Sequence, residues 1–175
     1  FDTLGIQPVV TGGRAVSSTA VRELVRTGKV ELARRLLGRP FSLVGDVVPG
    51  KGIGSQQTVP TLNLAPEADI RPARGVYVTL TCDCESGRRW HSVTNVGSKP
   101  TFNHSEQTVE THLIEPLGGR TPSRIEPAFL HRLRDEKRFA SPEDLRQQIL
   151  RDVKLAERYF RCHRATAVRR AIQVR

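Results

Sequence analysis

The hydrophobic period of this chain changes at Phe41, and no other feature constrains its fold as tightly. Up to Leu37 apolar side chains recur at helical spacing, as Val21, Leu24 and Val25, then Val30, Ala33, Leu36 and Leu37. From Phe41 the period is two. "FSLVGDVV" (41–48), "GVYVTLTC" (75–82), "HSVTNVG" (91–97), "TVETHLIEP" (108–116) and "SRIEPAFLHRL" (123–133) read as strands bounded by Gly, Pro, Asn and Ser. Short strands at near-regular spacing, with no helix between them, predict an antiparallel barrel or sandwich.

Helix punctuation frames these strands. Ser17, Ser18 and Thr19 offer N-cap oxygens, Thr27-Gly28 breaks the first helical pattern, and Gly38 with Pro40 closes the second. In "SPEDLRQQILRDVKLAERYF" (141–160), Ser141 can cap, Pro142 suits the first turn, and Glu143 and Asp144 suit the positive end of the helix dipole. Leu145, Ile149, Val153 and Ala156 form the expected apolar stripe.

Two stretches could carry chemistry. "GKGIGSQQTVPTLNL" (50–64) sets Gly50, Gly52 and Gly54 at alternate positions, a turn whose freed N–H groups can line an anion. It has neither the Gly-Lys-Ser/Thr of a P-loop nor a following helix for a dinucleotide fingerprint. Beyond Pro60, Thr61 and Asn63 fall on one side of an extended segment, and their oxygens suit Mg²⁺ held jointly with nucleotide phosphates. A glycine hairpin with a polar strand edge explains the same residues. In "TVETHL", alternation puts Val109, Thr111 and Leu113 on one face, with Glu110 and His112 on the other. Glu110 is then either a solvated outward residue or a placed carboxylate. His112 reads as a satisfied polar residue, since the five histidines are scattered.

Composition excludes several classes. The 175 residues suit one domain, or one domain plus an appendage, and no apolar run approaches the roughly 20 residues a membrane span needs. Three cysteines, with no Cys-x-x-Cys pair among them, suit neither a disulfide framework nor a zinc site and fit a reducing, cytoplasmic setting. The net charge of +10 invites a nucleic-acid reading, but the excess sits at the ends: +4 in 1–40, +7 in 146–175 and −1 between them. Basic stretches without interleaved aromatics read as a solvated helix and tail. No Ser-His-Asp or Cys-His arrangement can be argued.

These stretches together resemble the riboflavin kinase module of bacterial bifunctional riboflavin kinase/FMN adenylyltransferases. Pro60-Thr61-Leu62-Asn63 is similar to the family's Pro-Thr-Ala-Asn after a glycine-rich turn. "NVGSKPTF" (95–102) with "ETHL" (110–113) resembles its Asn-x-Gly-x-Arg/Lys-Pro-Thr-Phe run leading into Glu-Thr-His-Leu, and "LRDEKRF" (133–139) its Leu-Arg-x-Glu-x-x-Phe. "VSSTAVR" (16–22) looks like the motif that closes the family's adenylyltransferase domain, with Ser17, Ser18, Thr19 and Arg22 near ATP phosphates. Thr58-Val59 replaces the usual Gly-Phe, Ser55 a common basic residue and Leu62 the alanine.

The resemblance implies a mainly β fold, a six-stranded antiparallel riboflavin-kinase-like barrel with a C-terminal helix, preceded by short helices from the end of an adenylyltransferase domain. It divides the chain into a helical remnant (1–38), the barrel with its helix (39–160) and a basic tail (161–175). The implied reaction is ATP plus riboflavin giving FMN plus ADP. Gly50, Gly52 and Gly54 would cover the ATP phosphates, Thr61 and Asn63 would hold Mg²⁺, and Glu110 would act as base. Arg134, Glu136 and Phe139 would hold the flavin. The segments 50–59 and 98–107 are expected to be mobile until ligands close them. The chain starts at Phe1 and contains no Met, so a fragment is expected, one that in the longer protein packs on its own adenylyltransferase domain. The competing readings are a non-catalytic flavin- or nucleotide-binding barrel and a basic nucleic-acid-binding barrel.

Overall fold

The computed structural model describes residues 9–11, 14–49, 61–100 and 105–163. A small hairpin of β1 (Val10–Thr11) and β2 (Arg14–Ala15) leads into α1 (Ser18–Arg26) and α2 (Val30–Leu37). The strands are β3 (Phe41–Ser42), β4 (Gly45–Val48), β5 (Thr61–Pro66), β6 (Gly75–Asp83), β7 (Arg89–Pro100), β8 (Ser105–Leu113) and β9 (Arg124–Arg134). The helix α3 (Pro142–His163) follows. The residue order of these elements matches the change of period at Phe41.

All the pairings are antiparallel, and they close a ring. The order is β3-β9-β4-β5-β8-β7-β6, and β9 also pairs with β6. β3 and β4 share one register on β9, Phe41 opposite Phe129 and Gly45 opposite Ile125, so 41–48 is one strand interrupted at Leu43-Val44. Counted so, six strands form a barrel-like ring, as the resemblance implies. The interruption is local: Leu43 turns wholly into the core while its backbone N–H still reaches Pro127 O at 3.2 Å.

Alternation sorts the side chains into two layers. Leu62, Leu64, Tyr77, Trp90, Val96, Val109, Leu113, Ile125 and Phe129 fill the inside of the ring. Val76, Val78, Val93 and Leu130 point outward and are covered by Ala156 and Phe160 of α3. β6 is therefore buried on both faces. Its inward threonines join a chain of buried hydroxyls: Thr81 to Ser92 at 2.7 Å, Ser92 to Thr79 at 2.8 Å, Thr79 to Thr94 at 2.7 Å and Thr94 to Thr111 at 3.0 Å. Each hydroxyl finds a partner inside the ring, which removes the desolvation cost of an orphaned one.

The N-terminal helices dock on the same core. Ser17 caps α1 by accepting from Ala20 N–H at 3.1 Å, and Gly28 and Gly38 close the two helices in the left-handed region, at φ 73° and 72°. Val30 is fully buried among the ring's inner residues, and the Glu31 carboxylate accepts from the backbone N–H of Arg132 on β9.

The expected stripe of α3 needs one correction. Ser141 caps the helix through Asp144 N–H, as predicted, but Leu145 is 37% exposed and the seam runs through Asp152, Ala156 and Phe160. A carboxylate takes the place of an apolar residue because Arg134 neutralises it. The guanidinium donates through Nε and Nη2 to both Asp152 oxygens at 2.7 to 3.1 Å, and Gln148 donates a further bond at 2.9 Å. The helix also runs to His163, so the expected tail boundary at 161 falls inside it.

Two substitutions test this packing. Asp152→Ala leaves a poorly exposed guanidinium unpaired and should cost about 3–5 kcal/mol in urea denaturation. Gly45→Ala would bring a Cβ to 2.0 Å from Ala65 O, backbone that cannot move without breaking the β4–β5 pairing. It should cost about 3 kcal/mol or more by the same measurement. A loss below about 1 kcal/mol in either variant contradicts the corresponding contact.

Candidate active site

The register brings the expected oxygen donors together. Leu62 and Leu64 face inward, so Thr61 and Asn63 face outward. On β8 the inward Val109, Thr111 and Leu113 leave Glu110 and His112 outward by the same parity. Asn63 pairs directly with Glu110, and Thr61 with His112. On the other side of β8, Glu110 pairs with Asn95 of β7. Side chains paired across antiparallel strands have their Cβ atoms about 4.5–5.5 Å apart. Asn63, Glu110 and Asn95 thus form one row of polar groups across three strands, with Thr61 and His112 forming the next row about 7 Å along.

Glu110 is partly buried, and among the described residues its carboxylate has no hydrogen-bond or ion-pair partner. Its neighbours in the row are two neutral amides, which can donate to it or accept from a ligand. Thr61 Oγ1 lies 2.7 Å from His112 Nδ1. Burial pulls the His112 imidazole down to about 4, with the Asp152 charge acting in the opposite direction, so the ring is neutral near pH 7.

The third row lies on the other side of Glu110. Gly97 pairs with Thr108 there, and Glu136, from the segment after β9, accepts from Ser98 N–H at 3.1 Å. A Cβ on Gly97 would sit 2.8 Å from the Glu136 carboxylate and 3.2 Å from the Asn95 amide, so glycine lets the post-β9 segment close onto the end of β7. Arg134 has donors committed to Asp152 and to Asp135 O, and its guanidinium carbon is 6.0 Å from the Phe139 ring. Of the three residues expected around a flavin, Arg134 thus anchors α3, Glu136 borders the rows, and the Arg134 guanidinium lies over the Phe139 ring.

Gly50, Gly52 and Gly54 lie outside the described residues, as do 50–59 and part of 98–107, where mobility was expected. Val48 pairs with Asn63, and Thr61 lies at the end of the rows away from Glu136. Ser17, Ser18, Thr19 and Arg22 are exposed at the start of α1, where Arg22 donates to Ser18 Oγ at 3.3 Å, and share no row with Glu110.

The donor set fits a hard cation. Hydroxyl, amide and carboxylate oxygens suit Mg²⁺, which needs few protein ligands when phosphates supply the others. Among the described residues no group of three His, Cys, Asp or Glu could bind a softer ion, and Cys82, Cys84 and Cys162 are free. A separate cavity of about 370 Å³, lined by Asp83, Arg88, Trp90, Leu117 and Arg120, opens elsewhere and contains none of the expected site residues. Among the described residues no helix is long and apolar enough to cross a membrane. Sequence reasoning nominated neither Asn95 nor Asp152 and gave His112 no role. The signal for Asn95 was its place in "NVGSKPTF"; its partner Glu110 became visible only through the register.

Comparison with known proteins gives the family of the chain. The chain is 34% identical over 145 residues to the bifunctional riboflavin kinase/FMN adenylyltransferase of Haemophilus influenzae, covering 83% of this chain and 47% of that protein. It is 36% identical over 157 residues to the Pseudomonas fluorescens protein of the same description, covering 89% and 50%. The chain thus spans about half the length of these curated relatives. A crystal structure of a Streptococcus pneumoniae protein, described as a macrolide-efflux protein, matches with a TM-score of 0.78 at 28% identity, over 87% of this chain and 50% of that one. Residues 37–160, which hold every strand of the ring, all three polar rows and most of α3, match the family model for riboflavin kinase, and the chain belongs to that family.

Proposed function

We propose that the row of Asn63, Glu110 and Asn95 is the centre of a phosphoryl transfer from ATP to the 5′-hydroxyl of riboflavin. The observation that carries this reading is the direct pairing of Asn63 with Glu110 on the outer face, with the carboxylate free of protein partners among the described residues. A carboxylate already bonded to arginine or backbone could not take a proton from a substrate; this one can.

Each side chain then has a task. Glu110 accepts the proton of the ribityl hydroxyl as its oxygen bonds to the γ-phosphorus. The bond from that phosphorus to the bridging oxygen breaks, giving FMN and ADP. Thr61 and Asn63 would hold Mg²⁺, which neutralises charge on the phosphate oxygens. The amides of Gly50, Gly52 and Gly54 would cover those phosphates. The flavin would lie towards Glu136 and Phe139, with Arg134 holding that segment to α3. Nucleotide and acceptor therefore approach from opposite ends of the rows, which suits the in-line geometry of the transfer.

The N-terminal segment fits a second role in a longer protein. Residues 1–38 read as the closing piece of an adenylyltransferase domain on which the ring would pack. This rests on the Ser17, Ser18, Thr19 and Arg22 motif and on the bifunctional description of the relatives.

Glu110→Gln keeps the shape and removes the base. FMN formation from riboflavin, ATP and Mg²⁺, followed by chromatography, should fall by about 10²–10⁴. Riboflavin binding, followed by its fluorescence, should stay within about threefold. Turnover within threefold of the unsubstituted chain would remove Glu110 from the chemistry.

A further inference from the structure

Resting on the reading of Thr61 as a cation ligand, we propose that His112 is a positioning residue that accepts a hydrogen bond from the Thr61 hydroxyl and so turns that oxygen's lone pairs towards the cation. The direct observation is the 2.7 Å contact between Thr61 Oγ1 and His112 Nδ1, made by register partners on β5 and β8. A hydroxyl that binds a cation offers a lone pair and must direct its proton elsewhere, because the cation repels the positive end of the O–H dipole. A bare ring nitrogen opposite the cation accepts a hydrogen bond from that O–H. A ring N–H at the same place would instead occupy one of the lone pairs and leave the hydroxyl proton without this acceptor.

The His112 ring is intermediate in exposure, so a proton on Nε2 can be taken up by solvent hydrogen bonds while Nδ1 faces Thr61, and among the described residues no other protein group competes for the ring. On the far side of His112 in the row stands Val93, an apolar residue covered by α3. The nearby Asp152 carboxylate is already bonded to Arg134 and Gln148. The structure thus assigns to His112 the tautomer with its proton on Nε2 and a bare Nδ1 facing Thr61. Partners of this kind typically change metal affinity by about 10- to 100-fold when removed.

Two measurements test the proposal. Long-range ¹⁵N–¹H correlation spectra of the histidine-labelled chain read the tautomer without any ligand: the Nε2–H form is expected, and an Nδ1–H form overturns the proposal. The second is Mn²⁺ binding in the presence of ADP, read from the paramagnetic resonance of the free ion. His112→Leu should weaken Mn²⁺ binding about tenfold, and His112→Asn, whose Oδ1 lies near the lost Nδ1, should restore it to within about threefold. Adding His112→Leu to Thr61→Val should cost nothing beyond Thr61→Val alone. A folded His112→Leu chain that binds Mn²⁺ as the unsubstituted chain does overturns the proposal while leaving Thr61 a ligand, provided that Thr61→Val weakens binding. If Thr61→Val also leaves binding unchanged, the reading of Thr61 as ligand fails, and the proposal falls with it.

Discussion

Antiparallel register holds this site together. Side chains alternate along β8, so a slip of one residue against β5 would turn Glu110 into the core and Val109 out to solvent. That slip is opposed from both faces. Inside, Val109 and Leu113 are buried with Leu62 and Leu64, and Thr111 closes the hydroxyl chain through Thr94. Outside, Thr61 bonds His112. The pairing of β9 with both β4 and β6 then removes the free edges along which strands could slide. A polar row on the surface is therefore fixed by apolar groups beneath it.

The outer face is divided between two tasks. Over β6 and around Val93 of β7 it is apolar, and Ala156 and Phe160 of α3 seal it. Over β5 and β8 it carries Thr61, Asn63, Glu110 and His112. Asp152 stands where the two halves meet: it binds Arg134 at the end of β9 and influences His112 across the boundary. Its burial needs the bidentate guanidinium, since an unpaired carboxylate at 2% exposure would be strongly unfavourable. One ion pair thereby fixes both the helix that covers the core and the start of the segment that reaches Glu136 and Phe139.

Much of this fold was legible in the sequence because it rests on local rules. Ser17 and Ser141 cap helix starts by accepting from residues three positions on, Gly38 closes α2 in the left-handed region, and the period-two runs predict strands close to those observed. "HSVTNVG" lies within β7, and "FSLVGDVV" spans β3 and β4. The parity that set Glu110 apart from Val109 and Thr111 was likewise readable. What local rules could not supply was pairing over distance. Thr61 and His112 are 51 positions apart, and nothing local says that they meet. The same holds for Asn95 beside Glu110. Leu145 was misjudged because helical spacing gives a stripe but not where the sheet beneath it ends, and Asp152 was passed over because its burial depends on an arginine 18 positions earlier.

The account stands on a divalent cation and the proton acceptor sharing the Asn63–Glu110–Asn95 row. The most direct measurement is paramagnetic broadening by Mn²⁺ with ADP in the chain labelled with ¹³C at Asn and Glu side chains and ¹⁵N at the Trp indole. The Asn63 and Glu110 carboxamide and carboxylate signals should broaden beyond detection, while the Trp90 indole, five residues along β7 from Asn95, should broaden far less. Broadening centred on Trp90, with Asn63 and Glu110 left sharp, would contradict it.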